Sequence, residues 1–254
     1  MDAIEAFAPL SIQEPWDNSG LQVGTEADVC SGVLLCVDVT EKIVDEAIKL
    51  GCNLIVSHHP LLFRGLKEIN PDKSGVQEIV YKAIKAGVAI YSAHTSLDKA
   101  QNGISYRMAH MLGADVVHPL VPDNPGADTG LGVVATFGVT TSARSFINRI
   151  REAFGNPRIR CSNADNFITV FAVCSGSGGE FIPNAIDGNC DAYITSEVRY
   201  HDFVDYGNRI LIADIGHFES EECAKDIFYD IISEKFPNFA VYKSEIERNP
   251  IKYL

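Results

Sequence analysis

Short apolar runs alternate with longer amphipathic stretches over the first part of the chain. One amphipathic stretch predicts a helix that Thr40 can cap and that ends at Gly51, and a second predicts a helix that ends at Gly87. Continuous apolar runs occupy 32–38, 53–57 and 88–92. Because such runs lack polar alternation and are spaced by helices, they predict parallel strands that are buried on both faces of an α/β sheet.

A segment rich in Pro and Gly at 118–130 predicts a boundary between two α/β lobes, 1–120 and 121–254. Beyond it, the pattern predicts a helix near 142–154 and a long helix from near His217 to about Lys235. The strands predicted in this half lie at 132–137, 167–173, 191–195 and 209–214.

Charge and cysteine usage limit the classes of function. The chain has 21 Lys and Arg against 34 Asp and Glu, a net charge of −13, which disfavours binding to nucleic acid or to anionic membranes. Its acidic N-terminus does not resemble a signal peptide, and no apolar run reaches the length of a membrane span. The seven cysteines are scattered singly, which favours reduced and mostly buried thiols. We therefore expect a cytoplasmic protein.

Histidines follow three of the predicted strands. The chain has seven histidines, and His58, His59, His94 and His217 lie at these strand ends. In open α/β sheets, ligands bind at the carboxyl ends of the strands, and imidazole is a common metal ligand. A single histidine here would most often be a structural residue, but four together favour a metal site.

Carboxylates accompany these histidines at helical spacing. Glu221 follows His217 by four residues at the start of a predicted helix, so both side chains project from one face. Asp98 follows His94 by the same number of residues. This many nitrogen and oxygen donors exceeds what one tetrahedral ion uses, so two ions fit better. His58 and His59 would point to opposite sides of a strand unless the strand ends before them.

The common signatures of metalloproteases, nucleoside triphosphatases and serine hydrolases are absent from the sequence. Six other segments are distinctive: PWDNSGLQVG (15–24), VDVT (37–40), SHHPLLF (57–63), HTSLD (94–98), TSEVRYHD (195–202) and GHFESE (216–221). In these segments the chain resembles the Nif-three-like family, whose bacterial members are often labelled GTP cyclohydrolase type 2 homologues.

The resemblance implies a two-lobed α/β fold with mixed sheets and helices, a dinuclear metal site in the cleft between the lobes, and a homohexamer. The C-terminal segment would then contribute metal ligands and pack back on the first lobe. Transferred by motif, the ligands are His58, His59, Asp98, His217 and Glu221. His94 would orient Asp98 or bound water by hydrogen bonding. His201 or Glu197 would transfer protons, with a plain helix-surface position as the alternative for His201.

Two functions remain open from the sequence. The first is a metal-dependent hydrolase of a small nucleotide-like or heterocyclic substrate, with zinc, iron, manganese or nickel as the ion. The second is a non-enzymatic metal-binding or interaction protein. Trp16, Phe63 and Phe218 flank the metal motifs and could stack on a base, although core packing is the commoner fate of such residues. The glycine-rich run 175–179 could hold an anion, but a tight turn is favoured.

Overall fold

A computed structural model describes residues 1–73, 75–162 and 165–253 and has a mixed α/β architecture with two sheets. Within these residues, the strands are β1 (Gly20–Val23), β2 (Val33–Cys36), β3 (Leu54–Ser57), β4 (Ala89–Ser92), β5 (Asp115–Pro122), β6 (Gly130–Ser142), β7 (Arg160–Cys161), β8 (Phe167–Ser177), β9 (Ala192–Ser196), β10 (Leu211–Asp214) and β11 (Val241–Lys243). The helices are α1 (Asp2–Phe7), α2 (Glu41–Leu50), α3 (Val76–Ala86), α4 (Thr95–Lys99), α5 (Ile104–Met111), α6 (Ala143–Ala153), α7 (Ile182–Asp187), α8 (Tyr200–Tyr206), α9 (His217–Glu221) and α10 (Ala224–Lys235). Short 3₁₀ turns lie at Leu10–Ile12 and Gly179–Phe181.

The chain forms two compact units. The first contains Met1–Leu97 and the chain from Ala224 onward, and the second contains Asp98–Cys223. Each unit has its own sheet. The sequence predicted a boundary in the segment 118–130, but that segment contains the end of β5, a turn and the start of β6, and these two strands pair as antiparallel neighbours. Turn residues mark a hairpin connection as well as they mark a linker between lobes.

The sheet of the first unit has the strand order β1-β4-β3-β2-β11. Strands β4, β3, β2 and β11 are mutually parallel, and β1 is antiparallel to β4. Leu34, Ile55 and Ile90 on the central strands are fully buried, as the unbroken apolar runs predicted. Their carboxyl ends therefore meet at one edge of this sheet.

Local signals place the helix that follows β2. Thr40 accepts a hydrogen bond from the Ile43 amide, and Gly51 takes the left-handed conformation with φ of 72° at the helix end. Both features were predicted from the sequence. Between them, α2 buries Ile43, Val44 and Ala47 in the core of the first unit.

The sheet of the second unit has the order β5-β6-β8-β9-β10-β7. Its central strands β8, β9 and β10 are parallel, whereas β5, β6 and β7 pair antiparallel with their neighbours. Phe146, Phe171 and Tyr193 are fully buried and fill its core. Here too, the carboxyl ends of the parallel strands share one edge.

The predicted long helix from His217 to Lys235 is wrong in one respect, because the structure divides it into α9 and α10. The break falls at Glu222 and Cys223, where the chain passes from the second unit back to the first. Apolar periodicity records which face of a helix is buried, but it does not mark a change of unit.

Two further observations concern the expectations from composition. Five of the seven cysteines are buried, as predicted. Every helix among the described residues is too short or too polar to cross a membrane. The five buried cysteines are Cys36, Cys52, Cys174, Cys190 and Cys223.

Candidate metal centre

Three histidines cluster at the carboxyl edge of the first unit's sheet. His58 and His59 follow β3, and His94 follows β4. The ring centroids of His58 and His59 lie 5.0 Å apart, and both lie 5.3–5.5 Å from that of His94. One ring nitrogen from each lies within 4.8 Å of the others, so the three imidazoles can approach one ion.

The end of β3 explains how two adjacent histidines join one cluster. The strand stops at Ser57, whose hydroxyl donates to the His59 carbonyl oxygen over 2.8 Å. The Ser92 hydroxyl donates to the same oxygen over 3.2 Å. The chain therefore leaves regular strand geometry directly after Ser57, and the alternation that would separate His58 from His59 ends there.

Hydrogen bonds fix the tautomer of both residues. His58 Nδ1 lies 3.0 Å from the Ala93 carbonyl oxygen, which can only accept, so Nδ1 carries the proton. His59 Nδ1 lies 2.9 Å from Asp38 Oδ1 and donates in the same way. In both rings the lone pair is then on Nε2, the atom that such outer partners orient towards a metal. His58 is fully buried.

The acidic residue Asp17 organises the third histidine. Its side chain is fully buried, and Oδ1 accepts from His94 Nδ1 over 2.8 Å. The Thr95 amide and hydroxyl donate to Oδ2 over 3.0 and 2.5 Å, and the hydroxyl of Ser19 and the amide of Asn18 also donate to this carboxylate. Burial raises the pKa of Asp17, but the hydrogen bonds from His94 and Thr95 outweigh it and hold the pKa well below its usual range.

A second carboxylate supports the residue that holds His59. Glu247, in the C-terminal segment, accepts the amides of Val37 and Asp38 on Oε1, each over 2.9 Å. Its Oε2 lies 3.0 Å from Lys225 Nζ, and both side chains are buried. The two amide hydrogen bonds to Glu247 fix the backbone at Asp38. They therefore also position the Asp38 carboxylate that orients His59.

The second unit brings His217 and Glu221 together at its own sheet edge. His217 Nδ1 lies 3.0 Å from Glu197 Oε1, and His217 Nε2 lies 3.0 Å from Glu221 Oε2. These two contacts run from opposite nitrogens of one ring. Glu221 is buried, whereas the Glu197 side chain is 57% exposed. The four-residue spacing on one helix face thus gives the predicted pairing of His217 with Glu221.

Asp214 connects the loops that carry this pair. It ends β10, and its Oδ2 accepts the amide of Val198 while its Oδ1 accepts the amide of Gly216. Arg160 donates to Oδ2 as well. Glu197 itself has a φ of +56°, a conformation that is uncommon for a residue with a side chain. The pinned loops keep Glu197 in this strained conformation beside His217.

Asp98 and Glu221 both contact the glycine-rich end of β8. The Ser175 hydroxyl donates to Asp98 Oδ1 over 2.8 Å. Gly176 has a φ of +58°, and a Cβ there would lie 2.3 Å from Glu221 Oε1, so only glycine leaves room for this carboxylate. Burial, with the charges of Asp98 and Glu221, raises the pKa of Cys174 to about 12, so this thiol stays neutral.

The glycine-rich run 175–179 donates backbone hydrogen bonds to hydroxyl groups of its own unit. The run is the end of β8 and the start of the 3₁₀ turn Gly179–Phe181, so the tight turn favoured from the sequence is found only at its last residues. The amides of Gly176 and Gly178 donate to the hydroxyls of Ser220 and Thr195. His201 lies on the exposed side of α8, where its ring meets that of Tyr200 at 5.4 Å.

The donor set fits a divalent transition metal. Each of the four histidines has its Nδ1 held by a backbone carbonyl or a carboxylate, and carboxylates of the same units supply negative charge. Sequence reasoning missed Asp38 and Asp214 as supporting residues, although each lies directly at the end of a predicted strand. That position was the signal that could have identified them.

Comparison with known proteins gives a consistent result over the whole chain. The family model described as Duf34/NIF3 (NGG1p interacting factor 3) matches residues 1–250. A protein of Clostridium acetobutylicum named GTP cyclohydrolase 1 type 2 homolog is 35% identical over 221 residues, which cover 86% of this chain and 82% of that protein.

Solved structures resemble the fold equally completely. A hypothetical protein of Staphylococcus aureus superimposes with a TM-score of 0.90 at 25% identity, covering 100% of this chain and 97% of that one. A Bacillus cereus protein related to NIF3 superimposes with a TM-score of 0.86 at 22% identity, with the same coverage. The α/β architecture with two sheets is therefore that of these proteins.

Proposed function

The chain belongs to the Duf34/NIF3 family, and we propose that it is a metal-dependent hydrolase that acts on a small nucleotide-like or heterocyclic substrate. We propose two divalent ions per chain, drawn from zinc, iron, manganese or nickel. The proposed ligands are His58, His59, Asp98, His217 and Glu221. The name that relatives carry, GTP cyclohydrolase 1 type 2 homolog, supports a purine nucleotide as the first substrate to test.

One observation carries the proposal: Nδ1 of each of the four histidines lies within hydrogen-bond distance of an acceptor in its own unit. A single buried histidine also needs an acceptor for its N–H, but here three histidines with such acceptors have ring nitrogens within 4.8 Å of one another. In metal sites this arrangement is the rule, because the outer acceptor orients the ring and raises its basicity. Asp38 does this for His59, and Glu197 does it for His217.

The two ions, when bound, would polarise the substrate and lower the pKa of bound water towards neutrality. The chain's own residues would hold the ions, orient the bound water and transfer protons. Glu221 and Asp98 would supply the negative charge that two divalent ions require. His94, held by Asp17, orients Asp98 or bound water by hydrogen bonding.

We assign proton transfer to His201 and Glu197. Glu197 Oε1 lies 3.0 Å from His217 Nδ1, and the Glu197 side chain is exposed to solvent. His201 is exposed on α8 in the same unit, and imidazole is a common general acid or base in enzymes. Together they would protonate the leaving group of the hydrolysed bond.

The test is turnover of a nucleotide panel by metal-loaded protein. We expect hydrolysis of at least one purine nucleotide by the wild type and its loss in Glu221→Ala. Glu152→Ala, an exposed carboxylate of α6, is the matched control and should keep full activity. Folding of each variant is checked by circular dichroism. If metal-loaded wild type hydrolyses nothing in the panel, or Glu221→Ala remains as active as Glu152→Ala, the hydrolase proposal fails.

The second candidate is a non-enzymatic metal-binding or interaction protein. Metal that binds only the folded chain stabilises it by mass action, so the same ligands would persist without catalysis. The buried ligands His58 and Glu221 support this candidate as well as the first. In that case, metal raises the melting temperature of the wild type but turnover is absent, and the panel separates the two.

We further propose a cytoplasmic homohexamer that binds neither nucleic acid nor membranes. The hexamer is proposed from the family resemblance alone, and the net charge of −13 supports the exclusion of polyanions. Light scattering should return six times the mass of the chain. A monomer mass across a wide concentration range would remove the hexamer without affecting the metal ligands.

A further inference from the structure

Two large aromatic side chains lie exposed beside the histidines of the first unit. Trp16 is 59% exposed and Phe63 is 47% exposed, whereas Tyr91 of the same unit is fully buried. Core packing, the commoner fate of such residues, is therefore not their role. Leaving an indole and a phenyl ring in water forgoes the burial free energy of large apolar surfaces.

The two rings form one surface with the histidine cluster. Trp16 and Phe63 meet edge to face, with centroids 6.0 Å apart. Each also meets His94 edge to face, at 6.0 and 6.2 Å. His94 in turn contacts His58 and His59. The exposed aromatic surface thus begins one ring away from the proposed metal ligands.

Hydrogen bonds join the segment that carries Trp16 to the segment that carries Phe63. The side-chain amide of Asn18 donates to the Leu62 carbonyl over 2.7 Å, and the Leu62 amide donates to Gln22 Oε1 over 2.6 Å. These bonds join the loop of Trp16 to the residue before Phe63. The relative placement of the rings is therefore built into the fold.

We propose that Trp16 and Phe63 form an aromatic wall that binds the planar heteroaromatic ring of the substrate next to the metal ligands. This rests on the proposed hydrolase function and specifies which part of the substrate the chain recognises. The two rings of the wall are in direct contact, so no third ring enters between them. The substrate ring lies instead across their exposed faces, offset-stacked on the indole and meeting the phenyl ring at its edge.

The chemistry of the wall selects a small ring compound. Stacking tolerates any planar base, because every base has a π face, so the wall recognises ring shape and leaves specificity to polar groups. The strongly acidic chain disfavours a nucleic-acid strand as the source of that ring. A free base, nucleoside or mononucleotide fits both conditions.

Binding to this wall can be followed directly, because Trp16 is the only tryptophan in the chain. Zinc-loaded full-length protein is titrated with guanosine, guanosine monophosphate and ribose phosphate. We expect saturable quenching of tryptophan fluorescence by the two purine compounds and none by ribose phosphate. Absence of saturable binding by both purine compounds, or equal binding of ribose phosphate, overturns the proposal.

Calorimetry with variants assigns the binding to these rings. Trp16→Leu and Phe63→Leu should each weaken the Kd for guanosine monophosphate about tenfold. Phe167→Leu removes another exposed phenyl ring, 70% exposed on β8, and should leave the Kd unchanged. Wild-type affinity in both wall variants would contradict the proposal. A fall in molecular mass on Trp16→Leu would also contradict it, because the wall would then be a contact between subunits.

Metal content, measured on the same samples, separates this proposal from the one on which it rests. Wall variants that keep their metal but lose purine binding support the aromatic wall. A wild type that holds metal yet binds no purine compound contradicts the wall and leaves the metal ligands standing. A wild type without metal contradicts the proposed function itself.

Discussion

At the scale of single residues, what each imidazole can bind depends on which of its nitrogens carries the proton. Ala93 and Asp38 hold the Nδ1 protons of His58 and His59, and Asp17 holds that of His94. In each of these three rings, Nε2 is then the nitrogen that is left to bind a metal ion. An imidazole that binds a metal ion is neutral, so two divalent ions depend on carboxylates for charge neutralisation. This requirement distinguishes Asp98 from His94.

Substitutions of Asp98 and His94 should therefore differ in their effect on metal content. Asp98→Asn removes a negative charge and should empty at least one metal position. His94→Gln removes a supporting hydrogen bond, which typically costs about 10–100-fold in affinity, so both positions should fill when metal is in excess. Elemental analysis after metal loading measures this. If His94→Gln loses metal as completely as Asp98→Asn, His94 is itself a ligand.

The buried carboxylate of Asp17 should give the protein a measurable pH dependence. Asp17→Asn replaces one acceptor oxygen by a donor and should lower the free energy of unfolding by about 1–3 kcal/mol at neutral pH. Because the folded-state pKa of Asp17 is lowered, its stabilisation is complete above the unfolded pKa of about 3.9 and is lost as the pH falls towards the folded value.

Urea denaturation at acidic pH tests whether the stabilisation by Asp17 is lost as the pH falls. The difference in unfolding free energy between the wild type and Asp17→Asn should narrow as the pH falls below about 4. Asp28→Asn, at an exposed position of the same unit, should show no gap at any pH. A gap that stays constant or widens on acidification would show that Asp17 does not act through its charge.

The residues most accessible to sequence reasoning were those whose type and position carry the chemistry. His58, His59 and His217 follow apolar strands, and the spacing of Glu221 places it beside His217. The supporting acceptors were harder to identify, because the bond from His94 to Asp17 joins residues 77 positions apart. Pairings of that range depend on the folded sheet edge, which periodicity does not describe.

At the scale of elements, Asp214 at the end of β10 joins two loops. It binds the amide after Glu197 and the amide before His217. The contact between Glu197 and His217 therefore depends on how β9 and β10 end, as well as on the two side chains themselves.

Removing the Asp214 carboxylate should loosen both loops. Asp214→Ala leaves buried amides without their acceptor and should cost about 2 kcal/mol or more of unfolding free energy. It should also weaken metal affinity by about 10–100-fold, as loss of a supporting contact does. Asp205→Ala, exposed on α8, is the control. Chemical denaturation and metal titration measure the two effects, and unchanged metal affinity in Asp214→Ala would contradict this role.

Elements with strong local signals were predicted well. The cap at Thr40 and the left-handed Gly51 delimit α2, and unbroken apolar runs locate β2, β3 and β4. Two of the differences between expectation and structure concern long-range organisation. The hairpin of β5 and β6 was interpreted as a boundary, and α9 with α10 as one helix, because local composition does not encode to which unit a segment belongs.

At the scale of the whole molecule, each of the two units carries part of the proposed ligand set. The first supplies His58 and His59, and the second supplies Asp98, His217 and Glu221. Neither part alone combines enough nitrogen and oxygen donors for two ions. We therefore expect both units to contribute ligands, and we expect each chain to bind two metal ions.

The metal content of purified, metal-supplemented protein tests this most directly. Elemental analysis should return close to two first-row transition ions per wild-type chain. His58→Ala and His217→Ala, one ligand from each unit, should each lose metal, while His110→Ala, an exposed histidine of α5, should retain both ions. Trace metal in the wild type, or full occupancy in His58→Ala and His217→Ala, would contradict the account.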